Sequence, residues 1–387
     1  TPLNDVHTLN LATNTWSGVV STTGAAPSGR FYHNAVAWTD AASGDAKMTI
    51  FGGKNVTSAS AFGNLATNFS DVHTLNLVTN AWSGAVSTTE GAPSRRNKHT
   101  AVAWTDAASG TAKMTIFGGV DATSTRFNDV YTLNLATNTW SGAVGTTEGA
   151  PSARFAHTAV AWTDAASGTA TMVIFGGVVD AVHTYVNDVH TLNLVTNAWS
   201  GAVSTTGAAP GARWGHTAVA WTDAASGAAK MTIFAGSTGT VRNDIHTLDM
   251  TTGAWSGALL TAGTPPQERV DASAILWSDA ASSATRMVIF GGQAGLTTFS
   301  DLQTATLLSD DGALAITSNS TPASLRAQRF STARTHLDTY ALALRNGPTR
   351  GTVHGFSGLI VTFSCATHTL AAPIATPLST TVSLRCT

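Results

Sequence analysis

The stretch Asn4-Asp-Val-His-Thr-Leu-Asn-Leu11, followed by Thr13-Asn-Thr-Trp-Ser-Gly18, decides the fold of this chain, because it recurs along most of the sequence. Later copies begin at Asp71, Asn128, Asn187 and Asn243, and a decayed copy remains at Asp301-Leu302. Two other phrases lie between the copies, such as His99-Thr-Ala-Val-Ala-Trp-Thr-Asp-Ala-Ala-Ser-Gly110 and Lys113-Met-Thr-Ile-Phe-Gly-Gly119. Self-similarity at this spacing is typical of repeat architectures. Residues present in every copy are therefore expected to hold the fold.

Two tryptophan series give the length of the repeat. Successive members of each series are 66, 58, 59 and 56 residues apart. The series are Trp16, Trp82, Trp140, Trp199 and Trp255, and Trp38, Trp104, Trp162, Trp221 and Trp277. Because both show the same intervals, the repeat has a rigid part and one place where its length varies. That place lies between the Gly-Gly pair and the next Asn-Asp pair, and it is longest from Lys54 to Ser70.

The composition excludes some classes of partner. Charged residues make up 11% of the chain, against roughly 25% in a typical soluble domain, and the net charge is −2. This balance gives no reason to expect nucleic acid or an anionic membrane as a partner. No apolar run approaches the roughly 20 residues that span a bilayer. The chain begins with Thr1 rather than Met, which fits a mature or trimmed protein.

Each repeat predicts four short strands. His99–Trp104 and Met114–Phe117 are apolar on both faces, which is typical of strands that are buried on both sides. Val130–Leu135 alternates between apolar and polar residues, and Trp140–Val144 is short and more polar. Turn residues separate the strands. A four-stranded sheet whose strands run from buried to exposed describes the blade of a β-propeller.

The repeat resembles that of the kelch-repeat β-propeller family over roughly residues 1–308. The family pattern combines Arg-x-x-His, a Gly-Gly pair, an aromatic residue in the third strand and a Trp in the fourth. This sequence has that pattern at Arg96, His99, Gly118-Gly119, Tyr131 and Trp140, and again at Arg154, His157, Gly176-Gly177, His190 and Trp199. It departs from the pattern in three ways. His takes the aromatic position in most third strands, Ala235 replaces one Gly of a Gly-Gly pair, and Ala272 replaces the His of the fifth Arg-x-x-His. The resemblance implies an all-β propeller of four-stranded antiparallel blades.

The number of blades follows from where the repeats begin. Units start near residues 30, 96, 154, 213 and 269, and residues 1–20 supply only a third and a fourth strand. If the C-terminal part of the chain supplies the two missing strands, six blades result; the alternative is seven. We therefore predict kelch-like blades over residues 1–321 and a divergent segment, 322–387, which contains a closing blade and a tail. Thr339–Leu344 and Leu359–Phe363 are candidate strands in that segment.

The cysteines and sequons bear on the location of the protein. The two cysteines, Cys365 and Cys386, are a candidate disulfide, and the alternative is two unrelated buried thiols. Three triplets match the acceptor pattern for N-glycosylation, at Asn55, Asn68 and Asn319. These features favour an extracellular or cell-surface glycoprotein, with a cytoplasmic location as the alternative.

The repeated histidines and aspartates predict structure rather than catalysis. His33, His99, His157 and His216 could line a central channel, but identical placement in successive repeats favours a structural role over a metal site. The lone Asp of each Thr-Asp-Ala-Ala-Ser-Gly turn, such as Asp106, lacks the oxygen ligands of a calcium site. A galactose-oxidase-like copper centre would need a tyrosine cross-linked to a cysteine, and both cysteines lie in the C-terminal part, outside the repeats. We therefore predict no catalytic residue, no metal and no cofactor.

The positions that differ between repeats predict the functional surface. They cluster after the Gly-Gly pair and inside Arg-x-x-His, and in a propeller both sets emerge on one face, around the channel mouth. The candidate binding residues are Tyr32, Lys54, Asn97, Lys98, Arg126, Phe127, Phe155, Tyr185, Trp214 and Arg242. Aromatic and basic residues on one face favour recognition of a protein partner. A lectin-like glycan site, a structural subunit of a surface assembly and a metal-dependent enzyme are the alternatives.

Overall fold

The computed structural model of the chain describes residues 2–56, 66–86, 91–144, 148–164, 167–259, 265–278 and 284–307, and the backbone of seven strands between residues 314 and 383. All regular elements in the described part are β-strands. The chain divides into two compact units. The first comprises Thr1–Trp221, Ala229–Leu259 and Gln267–Thr304, and the second comprises Thr222–Ala228, Leu260–Pro266 and Ala305–Thr387.

Five mainly antiparallel sheets follow one another as the blades of a propeller, preceded by a two-stranded sheet of β1 (His7–Asn10) and β2 (Thr15–Val19). Blade one contains β3 (Thr23–Ala25), β4 (Asn34–Thr39), β5 (Ala46–Phe51), β8 (Val72–Asn76) and β9 (Ala81–Ala85), and carries the ribbon β6 (Lys54–Val56) and β7 (Ala66–Asn68). Blade two contains β10 (Thr100–Thr105), β11 (Ala112–Phe117), β12 (Val130–Asn134) and β13 (Thr139–Trp140). Blade three contains β14 (Thr158–Thr163), β15 (Ala170–Phe175), β16 (Val189–Asn193) and β17 (Trp199–Ala202).

Blades four and five vary this plan. Blade four contains β18 (Thr206–Ala208), β19 (Thr217–Thr222), β20 (Ala229–Ser237), β21 (Val241–Asp249) and β22 (Ala254–Ala258). Blade five contains β23 (Ser273–Ser278), β24 (Thr285–Phe290) and β27 (Leu302–Thr306), and carries the ribbon β25 (Gln293–Ala294) and β26 (Thr297–Thr298). The extra outer strands β3 and β18 pair in parallel with β9 and β22. A side chain at Gly207 would place its Cβ 2.3 Å from the Trp255 carbonyl oxygen, so this parallel pairing depends on glycine.

A buried row of polar side chains explains why the second strand of blades one, two and four has a threonine among its apolar residues. In blade two, the Trp104 indole nitrogen donates to Thr115 Oγ1 over 2.9 Å, and Thr115 Oγ1 lies 2.9 Å from Thr132 Oγ1. Thr115 is fully buried. Because each hydroxyl has a partner, the row crosses three strands without leaving an orphan polar atom.

The core lies between successive blades. Val102 and Phe117 of blade two pack against Met172, Ile174 and Leu192 of blade three, and all five are at most 5% exposed. The ring centroids of Phe117 and Trp199 are 5.1 Å apart. The same contact joins Phe51 to Trp140 and Phe175 to Trp255. Successive blades therefore bury their apolar faces against one another, with a tryptophan at the contact.

The Gly-Gly pairs lie where two blades come closest. Gly118 has φ +68°, and a Cβ there would lie 2.7 Å from the carbonyl oxygen of Arg154 in the next blade. Gly119 has φ +97°, and a Cβ there would lie 2.8 Å from the Cβ of His99. A side chain at either position would collide with a neighbouring strand while also straining the backbone.

The two-stranded sheet of β1 and β2 lies between blade five and blade one. Trp16 packs on Phe290 of blade five with a centroid separation of 5.1 Å, which repeats the contact between successive blades. On the other side, Val6 packs against the buried cluster of Ile50, Leu75 and Trp82 in blade one. The first unit therefore holds five blades and the outer half of a further blade.

The predicted count of six blades differs from the five that are observed. The prediction required the C-terminal part of the chain to pair with β1. Among the described strands, β1 pairs with β2 alone. Strands of the second unit pair with one another instead: β28 (Leu314–Thr317), β29 (Ser324–Ser331), β30 (Asp338–Ala343) and β33 (Ile374–Ala375) form one sheet, and β31 (Thr349–His354), β32 (Ile360–Cys365) and β34 (Thr381–Ser383) form another.

Candidate binding face

Five structurally equivalent residues form a ring at the inner edge of the blades. They occupy the third position of the Arg-x-x-His pattern or its counterpart, and we call them the inner ring: Tyr32, Lys98, Ala156, Gly215 and Asp271. All have left-handed backbone angles, with φ between 52° and 64°. The backbone N–H of each later member donates to the carbonyl oxygen of the member before it, over 2.7–3.1 Å. This hydrogen-bonded chain explains how non-glycine residues are held in a conformation that they rarely adopt.

Aromatic side chains in and beside the inner ring gather around Lys98. Its ammonium nitrogen lies 4.3 Å from the ring centroid of Tyr32, 5.2 Å from that of Trp214 and 5.8 Å from that of Phe155. Aromatic faces attract a cation at such distances. Burial lowers the pKa of Lys98, although the carboxylate of Asp271 opposes the effect. Side chains from four blades thus meet at the axis.

Tyr32 and Asp271 close the ring on its remaining side. The Tyr32 hydroxyl donates to Asp271 Oδ2 over 3.4 Å, and the side-chain amide of Gln293 donates to the same oxygen over 3.3 Å. Burial, followed by the nearby charge of Asp271, raises the pKa of Tyr32 to about 12. Burial also raises the pKa of Asp271, while Lys98 acts in the opposite direction.

A polar cavity of about 390 Å³ lies beside the inner ring, between the loops of blades one, two and three. Four basic side chains line it, together with two amides and one aromatic ring: Lys54, Lys98, Arg126, His183, Asn68, Asn97 and Phe155. Five of the ten residues predicted from the sequence are therefore brought together here. Arg126 lies over Phe155, with 5.6 Å from Cζ to the ring centroid.

Other predicted residues lie elsewhere on this face. The rings of Tyr185 and Trp214 are 6.4 Å apart, so they form an aromatic pair close to Lys98. Arg242 is exposed, and its Nε donates to Thr238 Oγ1 over 3.0 Å. Phe127 instead packs on the buried Arg96, with 4.1 Å from Cζ to the ring centroid. Phe69 and Phe299 lie in the same way on Arg30 and Arg269, so Phe127 has a structural role that is repeated between blades.

The predicted modification sites differ in burial, and some of them lie outside the described residues. Asn68 is only 3% exposed, and its amide nitrogen donates to the Val120 carbonyl oxygen over 3.2 Å, which leaves no room for a glycan. Asn55 is half-buried in β6. Asn319, Cys386 and the side chain of Cys365 lie outside the described residues.

The inner histidines join adjacent blades. His157 Nε2 is hydrogen bonded to Thr100 Oγ1 of the preceding blade over 2.8 Å, and His216 Nε2 to Thr158 Oγ1 over 2.7 Å. Burial, and then the nearby arginines, lower the pKa values of His99 and His216 to about 3 and that of His157 well below its usual value. Within the part of the chain that the structure describes, no three His, Cys, Asp or Glu side chains cluster as metal ligands would.

A buried ion pair in every blade was not foreseen from the sequence. Arg154 is fully buried and binds both carboxylate oxygens of Asp188, over 2.7 and 2.8 Å, while His190 Nε2 lies 3.0 Å from the second oxygen. The other blades pair Arg30 with Asp71, Arg96 with Asp129, Arg213 with Asp244, and Arg269 with Asp301. Burial opposes ionisation of Asp188, but the hydrogen bonds from Arg154 and His190 outweigh it and hold its pKa well below the usual range. The aspartate that precedes the third strand of each blade thus anchors the first strand to the third rather than serving a turn.

These features identify the class of protein. The family model described as the KLHDC2/KLHL20/DRC7 Kelch-repeats domain matches residues 1–164, 41–279 and 165–340, which together cover most of the chain. The chain therefore belongs to this family of kelch-repeat β-propellers, as the resemblance predicted. Among the described residues, no helix is long and apolar enough to cross a membrane.

Individual relatives match over shorter stretches. Mouse Kelch domain-containing protein 1 is 33% identical over 137 residues, which are 35% of this chain and 29% of the mouse protein. Tip elongation aberrant protein 1 of Schizosaccharomyces pombe is 29% identical over 205 residues, which are 50% of this chain and 16% of that protein. The matches thus span less than a third of either relative. The solved structure titled "Structure of YjhT" has a TM-score of 0.51 and 16% identity, covers 75% of this chain and 84% of its own, and shows likeness of fold alone.

Proposed function

We propose that this protein is a binding module that recognises a protein partner through the face formed by the inner ring and the adjacent cavity. The observation that carries the proposal is the cavity of about 390 Å³, which is lined by residues that differ from repeat to repeat. Concave sites with a few convergent polar groups are the usual binding sites of proteins. Membership of the kelch family supports the same conclusion, because its propellers generally serve as interaction modules.

The same geometry supports a role without catalysis. His157 and His216 are hydrogen bonded to the preceding blade, and the acidic side chain of each Arg–Asp pair is engaged by a buried arginine. These groups serve the fold, so the proposal assigns no reaction to them. Turnover of any compound that depends on Lys98 or Asp271 would contradict this part of the proposal.

A glycan is the second candidate ligand for this face. The observation that favours it is the pair of half-buried rings of Tyr185 and Trp214, which could stack on a sugar. A glycan array probed with the full chain separates the two candidates. Binding to defined glycans that is lost in Trp214→Ala would favour the sugar over a protein partner.

We further propose that two more strands complete a sixth blade on the sheet of β1 and β2. Residues that border this position are exposed, whereas their counterparts in other blades are not. Phe290 is 38% exposed while Phe234 is fully buried, and Trp16 is 45% exposed while Trp255 is 4% exposed. Such apolar surface favours a partner strand pair, for which residues 322–387 are the source that the sequence suggests.

The extracellular or cell-surface location also stays a proposal. It rests on the cysteine pair, Cys365 and Cys386, and on the sequons at Asn55 and Asn319. Peptide mapping of the protein purified from its source tests it. A disulfide and a glycan would support the proposal, and two free thiols without glycan would contradict it.

Capture experiments test the main proposal. The immobilised full chain should retain a partner that Tyr185→Ala or Arg242→Glu releases. Ser109→Arg, in the exposed turn at the far end of β10, should retain it equally well. A partner that is lost only with Ser109→Arg would place recognition on the opposite face and contradict the proposal.

A further inference from the structure

Among the described residues, the lysine and arginine side chains that line the cavity form no salt bridge. The chain has five lysines. Lys47, Lys113 and Lys230 each bind an aspartate of their own blade. Lys54 and Lys98 both line the cavity, and neither has a carboxylate within 4.0 Å among the described residues.

Arg126 likewise has no carboxylate within 4.0 Å among the described residues. Its Nε is buried and makes no hydrogen bond, and its Nη1 reaches only the Ser124 carbonyl oxygen over 3.3 Å. The other buried arginines of the repeats, such as Arg154, bind a carboxylate with both arms of the guanidinium. The guanidinium of Arg126 thus remains available to bind a carboxylate, whose two oxygens match its planar geometry best.

The one acidic residue of the cavity wall does not neutralise these charges. Asp121 Oδ1 accepts hydrogen bonds of 2.8 Å from the backbone N–H groups of Thr123 and Thr125 and from the Thr123 hydroxyl. This carboxylate is therefore engaged by its own turn. The described wall holds Lys54, Lys98 and Arg126 against Asp121 and so carries an excess of positive charge, although Asp271 attracts Lys98 and Asp180 attracts Arg126 from outside the wall.

The cavity wall also contains a buried hydrogen-bond acceptor that needs a donor. Asn68 is 3% exposed and lines the cavity, and its Oδ1 has no hydrogen-bond partner among the residues that the structure describes. Its amide nitrogen is held on the Val120 carbonyl oxygen, to which the Asn97 amide also donates over 3.1 Å. An unsatisfied buried acceptor calls for a donor from a ligand.

We propose that the cavity binds an acidic peptide segment of the partner, with an Asp or Glu carboxylate between Lys54 and Arg126 and a backbone N–H on Asn68 Oδ1. This inference rests on the proposed function, and it names the chemistry of the partner. A peptide supplies a carboxylate and a separate backbone N–H donor, whereas inorganic phosphate carries its charge and its O–H donors on a single centre. Because the groups come from two successive blades, the site requires the assembled propeller.

Selection from a random peptide display library on the immobilised full chain tests the inference. We expect the retained peptides to be enriched in Asp and Glu, and to bind at least about tenfold more weakly to the double variant Lys54→Glu with Arg126→Glu, which loses two charge-assisted contacts. The same variant should instead select peptides rich in Lys and Arg. Arg95→Glu is the matched control, because Arg95 is exposed and lies outside the cavity wall.

Several results would overturn the inference. Retained peptides without acidic enrichment, an empty selection, or acidic peptides that bind the double variant equally well would each do so. So would displacement of the peptides by orthophosphate or glucuronate at matched concentration, since either would mark a site for small anions or acidic sugars. If Tyr185→Ala releases a protein partner but the charge reversals at Lys54 and Arg126 do not, the proposed function stands and this inference fails. Thermal unfolding of each variant verifies that the propeller is folded.

Discussion

The hydroxyl of Tyr32 donates to Asp271 Oδ2 across 3.4 Å, although the two residues are 239 positions apart in the chain. They are the first and last members of the inner ring, whose other neighbours are joined through the backbone. The contact therefore links blade one to blade five at the axis. It also buries a carboxyl group beside Lys98, the cation at the centre of the aromatic cluster.

Removal of this hydroxyl should weaken the fold modestly. Tyr32→Phe leaves Asp271 with fewer donors, so we expect the free energy of unfolding to fall by about 1 kcal/mol. Chemical denaturation measures the change. Tyr185→Phe is the control, because the Tyr185 hydroxyl has no recorded partner in the described part of the chain. Equal effects of the two variants would mean that the Tyr32–Asp271 contact adds nothing to stability.

The buried ion pairs should matter far more. Asp188→Asn removes the charge that faces the fully buried Arg154, and a buried charge without its partner costs about 3–5 kcal/mol. Thermal unfolding should show a large fall in Tm. Asp180→Asn, in the loop of the same blade, offers a control in which the carboxylate faces its own turn. A fall for Asp188→Asn no larger than that of the control would contradict the anchoring role of the pair.

The inner histidines give the stability a defined pH dependence. His99 and His216 titrate near pH 3 in the folded protein, whereas an unfolded histidine titrates near 6.5. The unfolded chain thus binds protons first as the pH falls. Stability should be complete above about pH 6.5 and decline from there towards about pH 3. Each such histidine adds at most about 1.4 kcal/mol per pH unit.

Denaturation at a series of pH values measures this slope. His216→Gln should reduce the slope by the share of one proton, while His183→Gln, at an exposed position, should leave it unchanged. A stability that is flat between pH 6.5 and 4.5 would show that the histidines do not titrate as buried neutral groups.

The proposed sixth blade predicts the cost of truncating Phe290. Phe175→Ala, at the buried joint between blades three and four, should cost about 3–5 kcal/mol. If two strands cover Phe290, then Phe290→Ala should cost about as much. A cost of about 1 kcal/mol, as expected for a partly exposed ring, would contradict the completed blade.

The repeat was sufficient to predict the blades, because hydrophobic periodicity and turn residues are local signals. The predicted strands at His99–Trp104 and Met114–Phe117 correspond to β10 and β11, and the tryptophans pack where one blade meets the next. The Arg–Asp pairs escaped prediction because their members lie 31 to 41 residues apart, and an Asn-Asp pair before a strand resembles a turn. The fivefold recurrence of both residues was the available signal.

The candidate binding face was predictable only in part. Lys54, Asn97, Lys98, Arg126 and Phe155 were selected because they vary between repeats, and they line one cavity. Variation alone could not reveal that Phe127 packs on Arg96. Its counterparts Phe69 and Phe299 follow loops of different length, so the three phenylalanines do not align in the sequence of the repeats. Nor could it reveal that Asn68, which the sequon made a glycan candidate, is buried. Both depend on how loops from neighbouring blades fold over one another.

Site-specific photo-cross-linking tests the central claim, recognition of a protein through this face, most directly. A benzophenone side chain at Tyr185 or Trp214 should yield one adduct of defined mass in an extract of the source organism, and the double reversal Lys54→Glu with Arg126→Glu should abolish it. The same probe at Ser43 or Ser109, in exposed turns at the far ends of β4 and β10, should yield none. Adducts that form only from Ser43 or Ser109, or that persist unchanged in the double variant, would contradict the account.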